Sequence, residues 1–354
     1  MIERCTSSHS RTVAAATARR AAARRCIAIA LSLFGVLSTT GEVAAATGPA
    51  ADRIYLISTR GIGTRCECEA MADGLRCEEF VHEPSGVCHW NSLTWHELQA
   101  QFAEPLPTVV FVHGNRVENG EDKPHGLRFH RSLAARRPGD SPMRFIIWSW
   151  PSSQIRGVVN DYRVKAARTK PVGWQLAWAV DQMPPETPLA LVGYSYGARV
   201  VTGTLHLLAG GQLGELQLAE RMHPTRGPVR AALVAAAVDA NWIRPGGYHG
   251  RALEQVDQLL LVNNHLDPAM RFYHMAFEGK GRPLGYGGPG GMNLGEFAGR
   301  IRSIDVTGAV GRHHALDEYL AASGRVGAVL EQVVELPAPD PSDASLAGRG
   351  TTHQ

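Results

Sequence analysis

Residues 189–208 read Leu-Ala-Leu-Val-Gly-Tyr-Ser-Tyr-Gly-Ala-Arg-Val-Val-Thr-Gly-Thr-Leu-His-Leu-Leu. The first four are apolar, as expected of a short strand buried on both faces. From Val200 the apolar residues Val201, Leu205 and Leu208 follow the i, i+4, i+7 spacing of a helix face. Between them lies Gly193-x-Ser195-x-Gly197. A serine at the tip of so tight a strand-to-helix turn takes a strained backbone conformation. The residues two before and two after it are pressed together, so both must lack Cβ. The turn lifts the Ser195 hydroxyl above the carboxyl end of the strands, where open α/β sheets bind ligands. The Tyr196 N–H falls at a helix N-terminus, where developing negative charge is favoured.

Outward from this turn, apolar runs alternate with helical stretches. Strands are predicted at Ile54–Ile57, Thr108–Val112, Phe145–Trp150, Val229–Val238, Gln258–Asn263 and Ile301–Val306. Helices are predicted at Thr94–Phe102, at Asp161–Met183 before Pro184-Pro185, and from Ala315 toward Val334. The alternation implies a mostly parallel sheet with helices on both faces. The stretch Glu278–Gly295 is glycine-rich and reads as a long mobile loop, a candidate lid.

The chain has 354 residues, 44% hydrophobic and 19% charged, which excludes wholesale disorder and disulfide-scaffold classes. Its formal charge is +3, but residues 1–46 hold six Arg and two Glu, leaving about −1 for the remainder. Nothing global therefore points to nucleic acid or an anionic membrane as partner. Residues 1–46 show a basic leader, an apolar run from Cys26 to Leu37 and Ala44-Ala45-Ala46. That is the pattern of a cleaved signal peptide, so export to the periplasm or the extracellular space is expected. The rival is an uncleaved anchor; the apolar run is short for a membrane span, and no later segment is a candidate. A domain over 47–336 then carries a cysteine-rich insert at about 61–93. A Pro-, Asp- and Ser-rich tail at 337–354 reads as disordered.

Cys66, Cys68, Cys77 and Cys88 cluster within the insert. In an exported chain they suggest two disulfides of open pairing; a zinc site with His89 is the rival. Elsewhere no His-Glu-x-x-His or comparable ligand spacing supports a metal-dependent hydrolase.

Ser195 in its elbow, with Phe111-Val112-His113-Gly114-Asn115 at an earlier strand end, resembles the α/β-hydrolase family over most of residues 53–336. More narrowly, Ser58-Thr59-Arg60, the FVHGN loop and Trp148–Ser152 (WSWPS) resemble a bacterial group of uncharacterised exported α/β-hydrolases. The resemblance implies an α/β-hydrolase fold and an oxyanion hole from the Asn115 and Tyr196 amides, with Gly114 shaping the loop. His113 reads as a brace. The family order of Ser, acid, then His places the acid at Asp267, with Asp239 as the alternative. It places the base at His313 or His314; the spacing Gly311-x-x-His314-x-Leu316 favours His314. His206, His265 and His274 fit less well.

The implied chemistry is a Ser-His-Asp hydrolase acting through an acyl-enzyme, without metal or organic cofactor. Trp148, Trp150, Tyr194 and Tyr196 read equally as an acyl pocket or as aromatic core. An apolar pocket favours a small or lipid-like carboxylic ester. A thioesterase, an amidase or a non-catalytic exported binding domain on the same fold are the alternatives. The oligomeric state is not legible.

Overall fold

The computed structural model describes residues 3–4, 52–83, 85–137, 142–219, 221–223, 226–227, 229–271, 273 and 281–322. The rest of the leader at 1–46, the continuation of the closing helix toward Val334 and the tail at 337–354 lie outside the described residues.

The strands are β1 (Glu3–Arg4), β2 (Arg53–Ser58), β3 (Arg76–His82), β4 (Val87–Leu93), β5 (Thr108–Val112), β6 (Arg144–Ser149), β7 (Leu189–Tyr194), β8 (Val229–Val234), β9 (Val256–Asn263) and β10 (Ile301–Asp305). Among the described residues they form one sheet in the order β1-β4-β3-β2-β6-β5-β7-β8-β9-β10. The seven strands from β2 to β10 in that order are parallel. The three at the other edge run antiparallel. The architecture is that of an α/β hydrolase.

The period-two alternation of the strands explains why both faces are covered. Val109 and Phe111 of β5, Phe145 and Ile147 of β6 and Leu260 and Val262 of β9 pack into one core layer. Their neighbours Val110, Val112, Ile146, Trp148, Leu259 and Leu261 pack into the other. The first layer is closed by helix Asp122–Ala134 through Phe129 and Leu133, and by Leu316–Ala321 through Leu316, Tyr319 and Leu320. The second is closed by helices Val158–Asp181 and Tyr196–Leu208. The helix predicted at Thr94–Phe102 spans Trp95–Gln101, with Thr94 and Glu97 forming a reciprocal capping box. No helix among the described residues is long and apolar enough to cross a membrane.

Chain order fixes the position of the crevice. From β5 the chain moves to β6 on one side, and helix 158–181 then carries it back across β5 to β7 on the other. The carboxyl ends of β5 and β7 flank this topological switch point, where a doubly wound sheet opens toward solvent.

Several expectations are resolved or changed. The cysteine-rich insert is an ordered extension of the sheet: helix Cys68–Gly74 and the hairpin β3–β4 beside β2. Cys66, Cys68 and Cys77 are free thiols, so the two disulfides expected within the cluster are not formed. The register explains part of this. Cys77 faces Leu93 while Cys88 faces His82, five residues along the hairpin, or about 17 Å at the usual strand rise and far beyond disulfide reach. Burial pushes the Cys66 and Cys77 thiols up to about 12. Of the two readings of Trp148 and Trp150 the core holds: both are fully buried and neither lines the cavity over Ser195, whereas Tyr194 and Tyr196 do.

The strand predicted to Val238 stops at Val234, because Ala235 has φ +47°. Its continuation becomes a ledge that binds the glycine-rich segment. Leu284 and Gly285 N–H groups donate to the Val238 and Ala236 carbonyls, both at 2.9 Å, and the Gly285 carbonyl accepts from Asn264 N–H at 2.9 Å. The described part of the predicted lid is therefore wedged between the ends of β8 and β9. A Cβ at Gly285 would fall 2.2 Å from the Ala236 nitrogen. Gly285→Ala should destabilise the chain by about 2 kcal/mol in urea unfolding and sensitise the segment to limited proteolysis; unchanged values for both would show that the wedge is not structural.

Candidate active site

β7 ends at Tyr194 and the next helix begins at Tyr196, so Ser195 alone makes the turn. Its backbone sits at φ +53°, ψ −114°, a conformation that costs a side-chain-bearing residue about 1–3 kcal/mol. Two neighbours hold it there. Ser195 N–H donates to the Val234 carbonyl at 2.9 Å, and the Ser195 carbonyl accepts from Ala237 N–H at 3.1 Å. The flanking glycines are sterically required. A Cβ at Gly193 would lie 2.5 Å from Ala198 Cα, and one at Gly197 2.0 Å from the Val112 carbonyl oxygen.

The turn brings the Ser195 hydroxyl 3.1 Å from His314 Nε2, and His314 Nδ1 lies 2.6 Å from Asp267 Oδ2. Asp267 follows β9 and is fully buried. Its Oδ2 also accepts from the Tyr319 hydroxyl at 2.7 Å, and its Oδ1 from the Ala269 and Met270 N–H groups at 2.8 and 3.3 Å. A carboxylate so placed keeps the proton of a neutral imidazole on Nδ1 and leaves Nε2 to accept from the serine. The His314 loop is clamped from two sides. The Tyr194 hydroxyl donates to the His314 carbonyl, and Asn264 Nδ2 donates to the Gly311 carbonyl at 2.8 Å.

The other candidates lie elsewhere. His313 is exposed and meets Asn264 only through its carbonyl. Asp239 caps a turn, accepting from Asn241 and Gly281 N–H groups at 2.9 and 2.8 Å. His265 sits against Thr307 and Asp305. His206 Nδ1 accepts from Arg251 N–H at 3.1 Å, and its Nε2 donates to the Gln212 carbonyl at 3.2 Å. His274 is outside the described residues.

The FVHGN loop abuts the elbow: a Cβ at Gly114 would lie 3.2 Å from Ser195 Cβ. His113 is buried and stacked on Trp150 with ring centroids 5.8 Å apart. Burial holds its pKa well below the ordinary histidine value, so it is a neutral brace. Arg60, of the Ser58-Thr59-Arg60 stretch, donates to Ser149 Oγ at 2.9 Å, to the Val117 carbonyl at 2.8 Å and to Asp122 at 3.3 Å. Three separated motifs thus meet beneath one loop.

Asp161 carries no motif and escaped the sequence reading. Its only signal was Lys165 at i+4. The buried Asp161 carboxylate accepts from Asn115 Nδ2 at 3.2 Å, Arg116 Nε at 2.9 Å, Ile155 N–H at 3.1 Å and Lys165 Nζ at 2.9 Å. Burial alone would raise its pKa, but the bonds from Lys165 and Arg116 outweigh it and hold the carboxyl at about 2. Arg116 N–H is committed to the Ser152 carbonyl at 2.9 Å.

Above Ser195 opens a cavity of about 510 Å³. Tyr162, Tyr194, Tyr196, Met270 and Tyr273 form much of its wall, with His314 at one side. Among the described residues no three His, Cys, Asp or Glu side chains converge as a metal-ligand cluster.

No family model and no curated protein matches the chain. Among solved structures it is similar to an inhibited esterase B from Lactobacillus rhamnosis, at 11% identity and TM-score 0.41 over 80% of this chain and 86% of that one. It is also similar to carboxyl esterase 2 from the mycorrhizal fungus Tuber melanosporum, at 14% identity and TM-score 0.37 over 73% and 86%. An acetylxylan esterase aligns at 14% identity and TM-score 0.31 over 65% and 97%.

Removing one partner of a buried ion pair leaves the other charge uncompensated. Asp161→Ala should lower stability by about 3–5 kcal/mol in urea unfolding, and adding Lys165→Met should restore part of it. The folded Asp161 pKa lies below its unfolded value of about 4. Its stabilisation is therefore complete above that value and lost as pH falls through about 2; a double variant no more stable than the single one would contradict this account.

Proposed function

We propose that the protein is a serine hydrolase that cleaves carboxylic esters through an acyl-enzyme. The observation that carries the reading is the 3.1 Å approach of Ser195 Oγ to His314 Nε2, with Nδ1 of the same ring 2.6 Å from Asp267. A serine hydroxyl is a weak nucleophile at neutral pH and needs a base within hydrogen-bond reach whose ring is oriented by a third group.

In this mechanism Ser195 Oγ attacks the ester carbonyl carbon while His314 Nε2 takes the hydroxyl proton. Asp267 stabilises the resulting imidazolium. The carbonyl oxygen, now an oxyanion, is met by the backbone N–H groups of Asn115 and Tyr196; loss of one such donor typically costs about 2.7–4 kcal/mol. Collapse breaks the bond to the alcohol oxygen, which leaves with the proton from His314. Water then gives a proton to the same nitrogen and attacks the acyl carbon; as the acyl–oxygen bond breaks, His314 returns that proton to Ser195 Oγ and the carboxylic acid leaves. The aromatic and apolar wall over Ser195 suits an ester of an apolar acyl chain, and no step calls on a metal or organic cofactor. The basic, apolar, small-residue leader supports action outside the cytoplasm after cleavage near Ala46.

A fluorophosphonate probe should label wild type at one site per chain, and Ser195→Ala should take up none. His314→Ala should lower kcat for p-nitrophenyl butyrate at least about a thousandfold. Labelling that survives in Ser195→Ala would refute the nucleophile and with it the function.

A further inference from the structure

The cavity over Ser195 is largely apolar, yet two arginines line it, Arg116 and Arg312, and among the described residues no carboxylate does. The two carboxylates behind its wall, Asp161 and Asp267, are fully buried. Both are already occupied: Asp161 by Asn115, Arg116, Ile155 and Lys165, and Asp267 by His314, Tyr319, Ala269 and Met270.

Arg116 is rigidly presented. Its backbone is held at φ +56°, its guanidinium lies 4.9 Å over the Tyr162 ring, and Nε is bound to Asp161. Its side chain nevertheless keeps 35% of its surface exposed. The single charge of Asp161 is shared between Arg116 and the buried Lys165, so this side of the cavity keeps one positive charge in excess. Arg312 adds a second: it stands two residues before His314 on the clamped loop and enters no hydrogen bond or ion pair among the described residues. Two guanidiniums on one cavity wall attract an anion, and their planar fork of donors matches a carboxylate.

Resting on the serine-hydrolase reading, we propose that the substrate of this site is a carboxylic ester bearing a second, ionised carboxylate, which binds at the wall formed by Arg116 and Arg312. Arg116 meets the carboxylate through its guanidinium, and Arg312 supplies the adjacent charge. The ester carbonyl then lies over Ser195 with the connecting carbon chain along the tyrosine wall. The carboxylate belongs to either the acid or the alcohol half of the ester, and matched substrates separate the two.

The test uses the full chain and two pairs of esters. p-Nitrophenyl hydrogen glutarate against p-nitrophenyl pentanoate places the charge on the acid half; 4-acetoxybutyrate against butyl acetate places it on the alcohol half. In at least one pair kcat/KM should favour the charged ester by about tenfold or more at low ionic strength, and the ratio should shrink as salt is added. Arg312→Gln, a change at an exposed side chain, should reduce the ratio; Arg312→Glu should reduce it further, and Arg116→Gln should act in the same direction. Turnover of the neutral esters with no preference for their charged partners, or a preference that survives in all three variants, overturns the proposal. Absence of fluorophosphonate labelling at Ser195 instead overturns the underlying hydrolase reading. Should the chain label but turn over none of the four, protection decides: glutarate must slow labelling more than dimethyl glutarate, and equal protection overturns the proposal.

Discussion

The structure depends on a backbone constraint at one residue. Ser195 can stand at φ +53° only because the chain around it is packed too tightly to relax. Gly193 abuts Ala198, Gly197 abuts the Val112 carbonyl, and the Val234 and Ala237 backbone holds Ser195 from the other side. The contacts come from β5, β8, the stretch after β8 and the helix that follows Ser195. The conformation is therefore stable only when β5, β7 and β8 are already assembled. The reward is a hydroxyl raised above the sheet at the switch point between β5 and β7, where loops from β5, β9 and β10 can converge on it.

Around that point buried carboxylates in the first turns of helices pair with arginines from the loops. A buried ion pair contributes little net stability, because desolvation offsets the attraction. Asp161 with Lys165 and Arg116, and Asp122 with Arg60, are of this kind. Each joins segments remote in sequence: Asp161 ties the start of the long helix to Asn115, and Arg60 ties the end of β2 to Ser149 and Val117. Their effect is geometric, since a loop satisfied by several convergent bonds has one conformation.

How much of this was legible depended on the kind of signal. Strands buried on both faces, such as Thr108–Val112 and Leu189–Tyr194, are continuous apolar runs and stood out. The hairpin β3–β4 did not. Its edge position lets Glu78, Glu79, His82 and His89 share a strand with Cys77 and Cys88, and the polar residues mask the pattern. The cysteines drew attention toward disulfides, while the register separates Cys77 from Cys88 and leaves Cys66, Cys68 and Cys77 as thiols. The glycine-rich segment suggested mobility, but Gly285 is required for close packing on Ala236. Composition says that glycine is present; only the neighbours say whether it gives freedom or contact.

The sequence by itself determined the sheet-and-helix alternation, the elbow at Ser195 and the short list of acids and bases near strand ends. Those follow from local rules: the two-residue period of a strand, the 3.6-residue period of a helix, and the need for glycine where two backbones touch. It could not separate His313 from His314, or Asp267 from Asp239, because adjacent or equivalent residues obey the same local rules. The tertiary structure separated them in space. Asn264 and Tyr194 fix the loop so that His314 lies 3.1 Å from Ser195, while Asp239 is spent on capping Asn241 and Gly281. It also gathered Asp161, Arg116 and Arg312 around one cavity, since residues so far apart in the chain acquire a common environment only when the sheet brings their loops together.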